Sequence, residues 1–269
     1  MGRSARILGL ILATTALCGQ CVAAQDSSHP SHDTKSAQIA VRRMEKAVRI
    51  RPSDVNAWEV LAASYDSLGQ YTEAAEAQLH VVKLKPHDEE ATQSLGFFYL
   101  LAQQYDKAVA AERKAVALKP GDALAWQALG YAYKGSGLYD QAISAAQRAI
   151  ALKPNDEAWN LLGEAYFSKR EFSSAVAADL SALNLNEKNE NAWQGLGAAY
   201  VNARQYHKAI SAEQHAVALD PADATAWFNL GVAYWDAYNK QGVMQAYERL
   251  KGLDKKRAVE FYNRFVAQN

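Results

Sequence analysis

Cysteine is nearly absent from this sequence of 269 residues, which contains only Cys18 and Cys21 near the amino terminus. Beyond them, neither a disulfide framework nor a thiolate metal site is available. A surplus of charge is missing as well, because basic and acidic residues number 29 each. Without a basic surplus there is no electrostatic case for nucleic acid as a partner.

Long apolar runs are also scarce. The run from Ile7 to Leu17 is about half of the roughly 20 residues that a spanning helix needs. Arg3 and Arg6 precede it, and small residues follow up to Ala24. This order is typical of a secretory signal peptide, so we expect residues 1–24 to be removed after export. The predicted location is the bacterial periplasm, with no membrane insertion after cleavage.

A lipid anchor on Cys18 or Cys21 remains an alternative to cleavage after Ala24. The residues before each cysteine fit a bacterial lipobox badly, since Leu17 precedes Cys18 and Gln20 precedes Cys21. Residues 25–35 are polar and lack periodicity, which predicts a flexible leader. Its two histidines lack a fixed third ligand, so we predict no metal and no cofactor.

The remainder of the chain repeats with a period of 34 residues. Pro52, Pro86, Pro120 and Pro154 stand 34 apart, and Pro221 follows one residue short of two further periods. A second position is marked by Trp58, Trp126, Trp159, Trp193 and Trp227. A leucine comes three residues after that position, a glycine or alanine four after it, and a tyrosine seven after it.

This W-x2-L-G-x2-Y spacing, followed by an alanine and a proline, resembles the tetratricopeptide repeat family. The resemblance implies an all-α fold, a right-handed superhelical α-solenoid of helix–turn–helix repeats. The predicted boundaries are a capping half repeat at 36–54, six repeats at 55–88, 89–122, 123–156, 157–189, 190–223 and 224–254, and a capping helix at 255–269. The fold alone does not fix the function.

Polar residues at fixed places in each repeat predict helix starts. Asp54, Asp88, Asp122, Asp156 and Asp223, with Asn189, are expected to be N-caps. A second polar row consists of Gln78, Glu112, Asp179 and Glu213, at a position where the family usually carries a large apolar residue. We expect these side chains to bond tyrosine hydroxyls or indole N–H groups, or to reach a rim. The sequence leaves their role open.

The resemblance further implies that the first helix of each repeat lines a concave groove. Four amides, Gln93, Gln127, Asn160 and Gln194, would form a ladder able to hold the backbone of an extended peptide. Apolar side chains beside them predict a partner surface, unless closure of the chain or a dimer covers them. The predicted peptide-binding groove comprises Gln93, Phe97, Leu100, Leu124, Gln127, Tyr131, Lys134, Asn160, Glu164, Phe167, Gln194, Phe228 and Trp235.

These features favour a protein-interaction scaffold that binds an extended peptide or a partner helix. The carboxylate clamp of chaperone-binding relatives is absent, because Glu59, Ala63, Gln93 and Phe97 stand in its place. One alternative is a subunit of a bacterial envelope assembly machine for pili or the outer membrane. Another is a catalytic module, with Glu164 and Lys134 as its candidate groups, or an essential partner of an enzyme. The sequence contains no recognised catalytic motif, so we predict that the protein is not an enzyme.

Overall fold

The computed structural model describes residues 32–267 of the chain, so the predicted signal peptide lies outside the described residues. The described residues form fourteen α-helices followed by a short π-helical turn, and they contain no strand. The chain divides into two compact units, Met1–Lys153 and Pro154–Asn269. We refer to their described parts, 32–153 and 154–267, as the first and second units.

The first unit contains seven helices, α1 to α7. Their bounds are His32–Ile50, Val55–Asp66, Tyr71–Leu84, Glu89–Leu101, Tyr105–Leu118, Ala123–Gly135 and Tyr139–Leu152. α1 begins inside the segment 25–35 for which we expected a flexible leader.

The second unit contains the other seven helices, α8 to α14. Their bounds are Asp156–Ser168, Phe172–Leu185, Glu190–Asn202, Tyr206–Leu219, Ala224–Asp236, Lys240–Leu253 and Lys255–Phe261. The π-helical turn covers Tyr262–Val266. From α2 to α13 the helices come in pairs, and we call the first helix of each pair helix A and the second helix B. The predicted all-α repeat fold is confirmed.

Five of the six predicted N-caps accept a hydrogen bond from a backbone N–H in the first turn of their helix, as expected. The carboxylate of Asp88, for example, accepts a hydrogen bond from the Ala91 N–H at 3.0 Å. The sixth expectation is wrong, because Asn155 and not Asp156 caps α8, accepting from the Ala158 N–H at 2.6 Å. The one-residue deletion between Pro154 and Trp159 moves the cap to the preceding residue, and Asp156 enters the first turn.

The repeated tryptophan has a role that its size alone does not suggest. The indole Nε1 of Trp126 donates to the carbonyl of Pro120 at 2.9 Å. Trp58, Trp193 and Trp227 each make the same bond to the residue six positions earlier, at 2.9 to 3.0 Å. The bond ties helix A to the loop in front of it. It satisfies the carbonyl of a loop residue that lies two positions beyond the end of the previous helix.

Close packing between helix A and helix B depends on the glycine that follows the repeated leucine. A Cβ on Gly96 would overlap the carboxyl of Glu112, and one on Gly197 would overlap that of Glu213. Asp179 similarly fills the space beside Gly163. These three carboxylic side chains are at most 1% exposed. Each polar side chain therefore occupies the volume that its glycine leaves open.

The carboxyl-terminal end of the second unit is closed by aromatic rings. Phe261 is fully buried and Phe265 is 6% exposed, and both belong to one apolar cluster with Leu250 and Trp227. α14 therefore covers the apolar face of the last repeat, as a terminal cap of a repeat array must.

We predict that Gly197→Ala lowers the free energy of unfolding by about 1–3 kcal/mol, because the new methyl group overlaps a buried side chain that has little room to move. Gly252→Ala is the matched control, since Gly252 also lies in a helix and nothing lies within 4 Å of the position of its Cβ. Adding Glu213→Ala to Gly197→Ala should recover most of the loss. Urea unfolding measures all three, and a Gly197→Ala protein as stable as the parent would contradict this packing.

Candidate peptide-binding surface and acidic clusters

The predicted groove residues of the first unit lie on α4 and α6, two helices A that contact each other. Phe97 and Leu100 of α4 are half-buried, as are Leu124, Tyr131 and Lys134 of α6. Lys134 Nζ lies 5.4 Å from the centre of the Tyr131 ring, within cation–π distance. These five side chains thus offer apolar and aromatic surface with one positive charge.

Three of the four amides predicted to form a ladder are in the interior instead of at the surface. Gln93, Gln127 and Asn160 are 8%, 2% and 1% exposed. The Nδ2 of Asn160 lies 3.5 Å from the Oδ1 of Asp179 on the adjacent helix B. Gln194 is half-buried, and its Nε2 donates to Glu190 at 3.0 Å and to Asp223 at 2.7 Å. As placed, the first three amides face the chain's own helices.

In the second unit, the remaining predicted groove residues have different surroundings. Glu164 and Phe167 of α8 are half-buried, and the Phe167 ring lies 5.5 Å from that of Phe172 at the start of α9. Phe228 packs 5.4 Å from Phe261, and Trp235 packs 5.7 Å from Phe265. The carboxyl-terminal cap therefore packs against Phe228 and Trp235, and both side chains are half-buried.

The polar row on the helices B is buried, and our expectation about its partners is wrong. Gln78 donates to the backbone carbonyl of Ala91 at 2.9 Å, not to a tyrosine or an indole. Within residues 32–267, both carboxyl oxygens of Glu112 and the Oε2 of Glu213 lack a hydrogen-bond partner. Burial raises the pKa values of Glu112, Asp179 and Glu213 well above the ordinary range. The neutral acids are the form that such sites favour.

Two acidic clusters of the same composition occur 101 residues apart, one in each unit. The first consists of Glu89, Gln93, Glu112 and Asp122, and the second of Glu190, Gln194, Glu213 and Asp223. In the first cluster, Lys119 Nζ lies 3.0 Å from Asp122 and 3.6 Å from Glu89. The residue that corresponds to Lys119 in the second cluster is Asp220. The second cluster thus has an additional acid where the first has a base.

Electrostatics differ accordingly between the clusters. Burial and the neighbouring carboxylates of Asp223 and Asp220 raise the pKa of Glu190 to about 7, and the hydrogen bond from Gln194 only partly offsets them. For Asp122, burial acts to raise the pKa, but the bonds from Lys119 and the Leu124 N–H lower it overall. Burial also raises the pKa of Glu89, the counterpart of Glu190, and the charge of Lys119 acts against that rise. Lys119 therefore lowers the pKa of the first-turn glutamate in the first cluster, whereas Asp220 helps to raise it in the second.

Two further properties of the described part of the chain bear on function. Across residues 32–267, no group of three or more histidine, cysteine, aspartate or glutamate side chains is arranged to hold a metal ion. In the same range, none of the helices combines the length and the apolar character required to cross a membrane.

Comparison with known proteins agrees with this fold. The family model described as tetratricopeptide repeat matches residues 36–89, 128–191 and 195–259, which together make up more than half of the chain. The chain belongs to the tetratricopeptide repeat family. No curated protein matches it.

Three solved structures illustrate the likeness. A chain of the APC/C hetero-tetramer Cut9-Hcn1 matches 87% of this chain with a TM-score of 0.66 and 21% identity, and this chain spans 47% of it, about half its length. The type IV pilus biogenesis factor PilW matches 74% of this chain and 92% of its own, with a TM-score of 0.66 and 19% identity. YrrB, described as a TPR protein with an unusual peptide-binding site, matches 69% of this chain and 97% of its own, with a TM-score of 0.52 and 21% identity. At these identities the likeness shows the fold.

The raised carboxyl pKa values predict that the protein is most stable in mild acid. Four carboxyl groups bind protons more tightly in the folded protein than in the unfolded chain: Glu112, Asp179, Glu190 and Glu213. The free energy of unfolding therefore falls as the pH rises above about 4.5, and it continues to fall through about pH 7. Urea unfolding at a series of pH values measures the slope. Glu190→Gln should reduce the slope near pH 7, and a stability that increases from pH 5 to pH 8 would contradict the prediction.

Proposed function

We propose that the protein is an interaction scaffold that binds an extended peptide or a helix of a partner protein. The observation that best supports this function is the half-buried surface on two adjacent helices A, which is formed by Phe97, Leu100, Leu124 and Tyr131. Aromatic and apolar side chains that remain accessible in a folded protein commonly mark partner surfaces. Membership of the repeat family supports the same function, because stacked repeats present extended binding surfaces.

The proposed mode of binding is apolar contact along α4 and α6, with the positive charge of Lys134 at one edge. Phe167 is a separate candidate contact in the second unit. The buried amides Gln93, Gln127 and Asn160 support helix packing in this proposal, and a peptide backbone would bond them only after local rearrangement. The proposal assigns no catalytic step and no cofactor to the chain.

The location of the protein is proposed to be the bacterial envelope, on the export side of the inner membrane. The sequence of residues 1–24 supports it. PilW, a pilus biogenesis factor, has the same fold at 19% identity. Participation in envelope assembly is therefore the second candidate function.

The apolar surface is tested by Leu100→Ala, with Leu84→Ala as the matched control. Leu84 is 41% exposed on α3, a helix B of the same unit. A peptide selected from a random display library on the purified full chain should bind the Leu100→Ala protein about fivefold or more weakly, because truncation of a central contact costs about 1 kcal/mol or more. The control should leave fluorescence anisotropy titrations unchanged. Selected peptides whose binding is indifferent to Leu100 would refute the proposed surface.

Export predicts a defined mature amino terminus. The full-length protein expressed in a bacterial host should appear in the periplasmic fraction, with an intact mass that begins at Gln25. A variant carrying Cys18→Ser and Cys21→Ser should be processed in the same way. A lipid-sized mass increase on a protein that begins at either cysteine would instead establish the lipoprotein alternative.

A further inference from the structure

The geometry points to a binding site at Trp159 in the second unit, and we propose that this site takes an arginine side chain of a partner polypeptide. The guanidinium group stacks on the indole ring, and the indole N–H donates to a backbone carbonyl of the same partner. The inference rests on the proposed function only in assuming that the partner is a polypeptide, and it concerns a different surface of the chain.

The first observation is that helix B normally supplies a basic group to the tryptophan of its own repeat. The stacked pairs are His80 on Trp58 with ring centres 4.0 Å apart, His215 on Trp193 at 4.3 Å, and the guanidinium group of Arg249 over Trp227 at 5.4 Å. The position 22 residues after the tryptophan position is basic in five of the six repeats, as His80, Lys114, Arg148, His215 and Arg249.

The fourth repeat lacks this basic group, because its residue at the same position is Ser181. The hydroxyl of Ser181 is turned back along its own helix, where it donates to the carbonyl of Ala177 at 2.9 Å. Within residues 32–267, no ring or cation is stacked on Trp159. An open cavity of about 380 Å³ remains there, and it is lined by Trp159, Leu180, Ser181, Asn184 and Leu185.

The indole N–H of Trp159 is a second, independent indication of a missing partner. The other four tryptophans of this position donate through Nε1 to the carbonyl six residues earlier. The loop before Trp159 is one residue shorter, and its Nε1 makes no hydrogen bond among the described residues 32–267. This nitrogen is not one of the buried polar atoms, so solvent reaches it. A donor beside an open cavity can orient a ligand that offers an acceptor, such as a backbone carbonyl.

Negative charge lies at the edge of the cavity. Asp156 precedes Trp159 by three residues in α8, and its carboxylate accepts a hydrogen bond from the Nδ2 of Asn186 at 2.7 Å. Asn186 directly follows Leu185, which is part of the cavity wall. The carboxylate is therefore held next to that wall, whereas the residues that line the cavity carry no charge. A cation is the electrostatic complement of this surface.

The shape of the site favours arginine over other cations. The face of an indole ring attracts cations more strongly than the faces of the other aromatic side chains. A guanidinium group is planar and less strongly hydrated than an ammonium group, so it can lie flat on the ring. Leu180 and Leu185 are 46% and 51% exposed, which leaves apolar surface to cover the methylene groups of an arginine. Arg249 on Trp227 shows the same stacking within the chain.

The test uses the full chain and three small probes: Nα-acetyl-arginine methylamide, its uncharged isostere Nα-acetyl-citrulline methylamide, and Nα-acetyl-phenylalanine methylamide. In NMR titrations the arginine probe should shift the indole N–H signal of Trp159 and the backbone amide of Ser181. The citrulline probe should bind about fivefold more weakly, because it has the same shape without the charge that the indole face attracts. Trp159→Phe assigns the indole signal.

Ser181→Arg gives the fourth repeat the basic side chain that the other repeats have, so it should weaken binding of the arginine probe about fivefold or more by occupying the site from within. Ser144→Arg is the matched control and should leave the titration unchanged. Ser144 lies on helix B of the preceding repeat, and its hydroxyl likewise donates to the carbonyl four residues earlier, at 3.0 Å.

Three results would overturn the proposal: equal affinities for the arginine and citrulline probes, tighter binding of the phenylalanine probe, or an arginine response that survives Ser181→Arg. Absence of any shift of the Trp159 indole signal with the arginine probe would do the same. Leu100 lies in the other unit, so Leu100→Ala should preserve the arginine response. The arginine site and the apolar surface can therefore fail separately.

Discussion

The approach of helix A to helix B is the constraint on which each repeat depends. At Gly96, Gly163 and Gly197 the first helix has no Cβ, and the carboxylic side chain of the second helix fills the space that results. A carboxyl group in such a place loses its hydration, which is why Glu112, Asp179 and Glu213 favour the neutral acid. Shape and protonation are therefore linked: the same atoms that complete the packing make the fold sensitive to pH.

Much of this fold was predictable because the repeat dictates it. The leucine, glycine and tyrosine after each tryptophan fix which faces of the helices meet, and the capping aspartates fix where helices start. The shift from Asp156 to Asn155 shows the limit of this reasoning. A one-residue deletion in a loop leaves the helix pattern intact, but which of two neighbouring polar residues becomes the cap depends on local geometry.

The orientation of the amide row was harder to predict. Helical periodicity places Gln93, Gln127 and Asn160 on one side of helix A, but it does not tell whether that side faces solvent or helix B. One signal was present in the sequence: Gln93 and Glu112, Asn160 and Asp179, and Gln194 and Glu213 all stand 19 residues apart. Paired polar residues at a constant separation suggest contact between the helices that carry them. The identity of the partner is not encoded in such packing, and it depends on the residues that vary between repeats.

The pairing of Gly96, Gly163 and Gly197 with carboxylic side chains has a consequence for how such a chain can change in evolution. Gly96 and Glu112 belong to one repeat, as do Gly197 and Glu213. A whole repeat could be duplicated or lost by recombination with its matched pair intact, whereas exchange of a single helix would place a carboxyl against a methyl group or leave a void. The array can therefore grow or shrink in steps of about 34 residues while its interior remains filled.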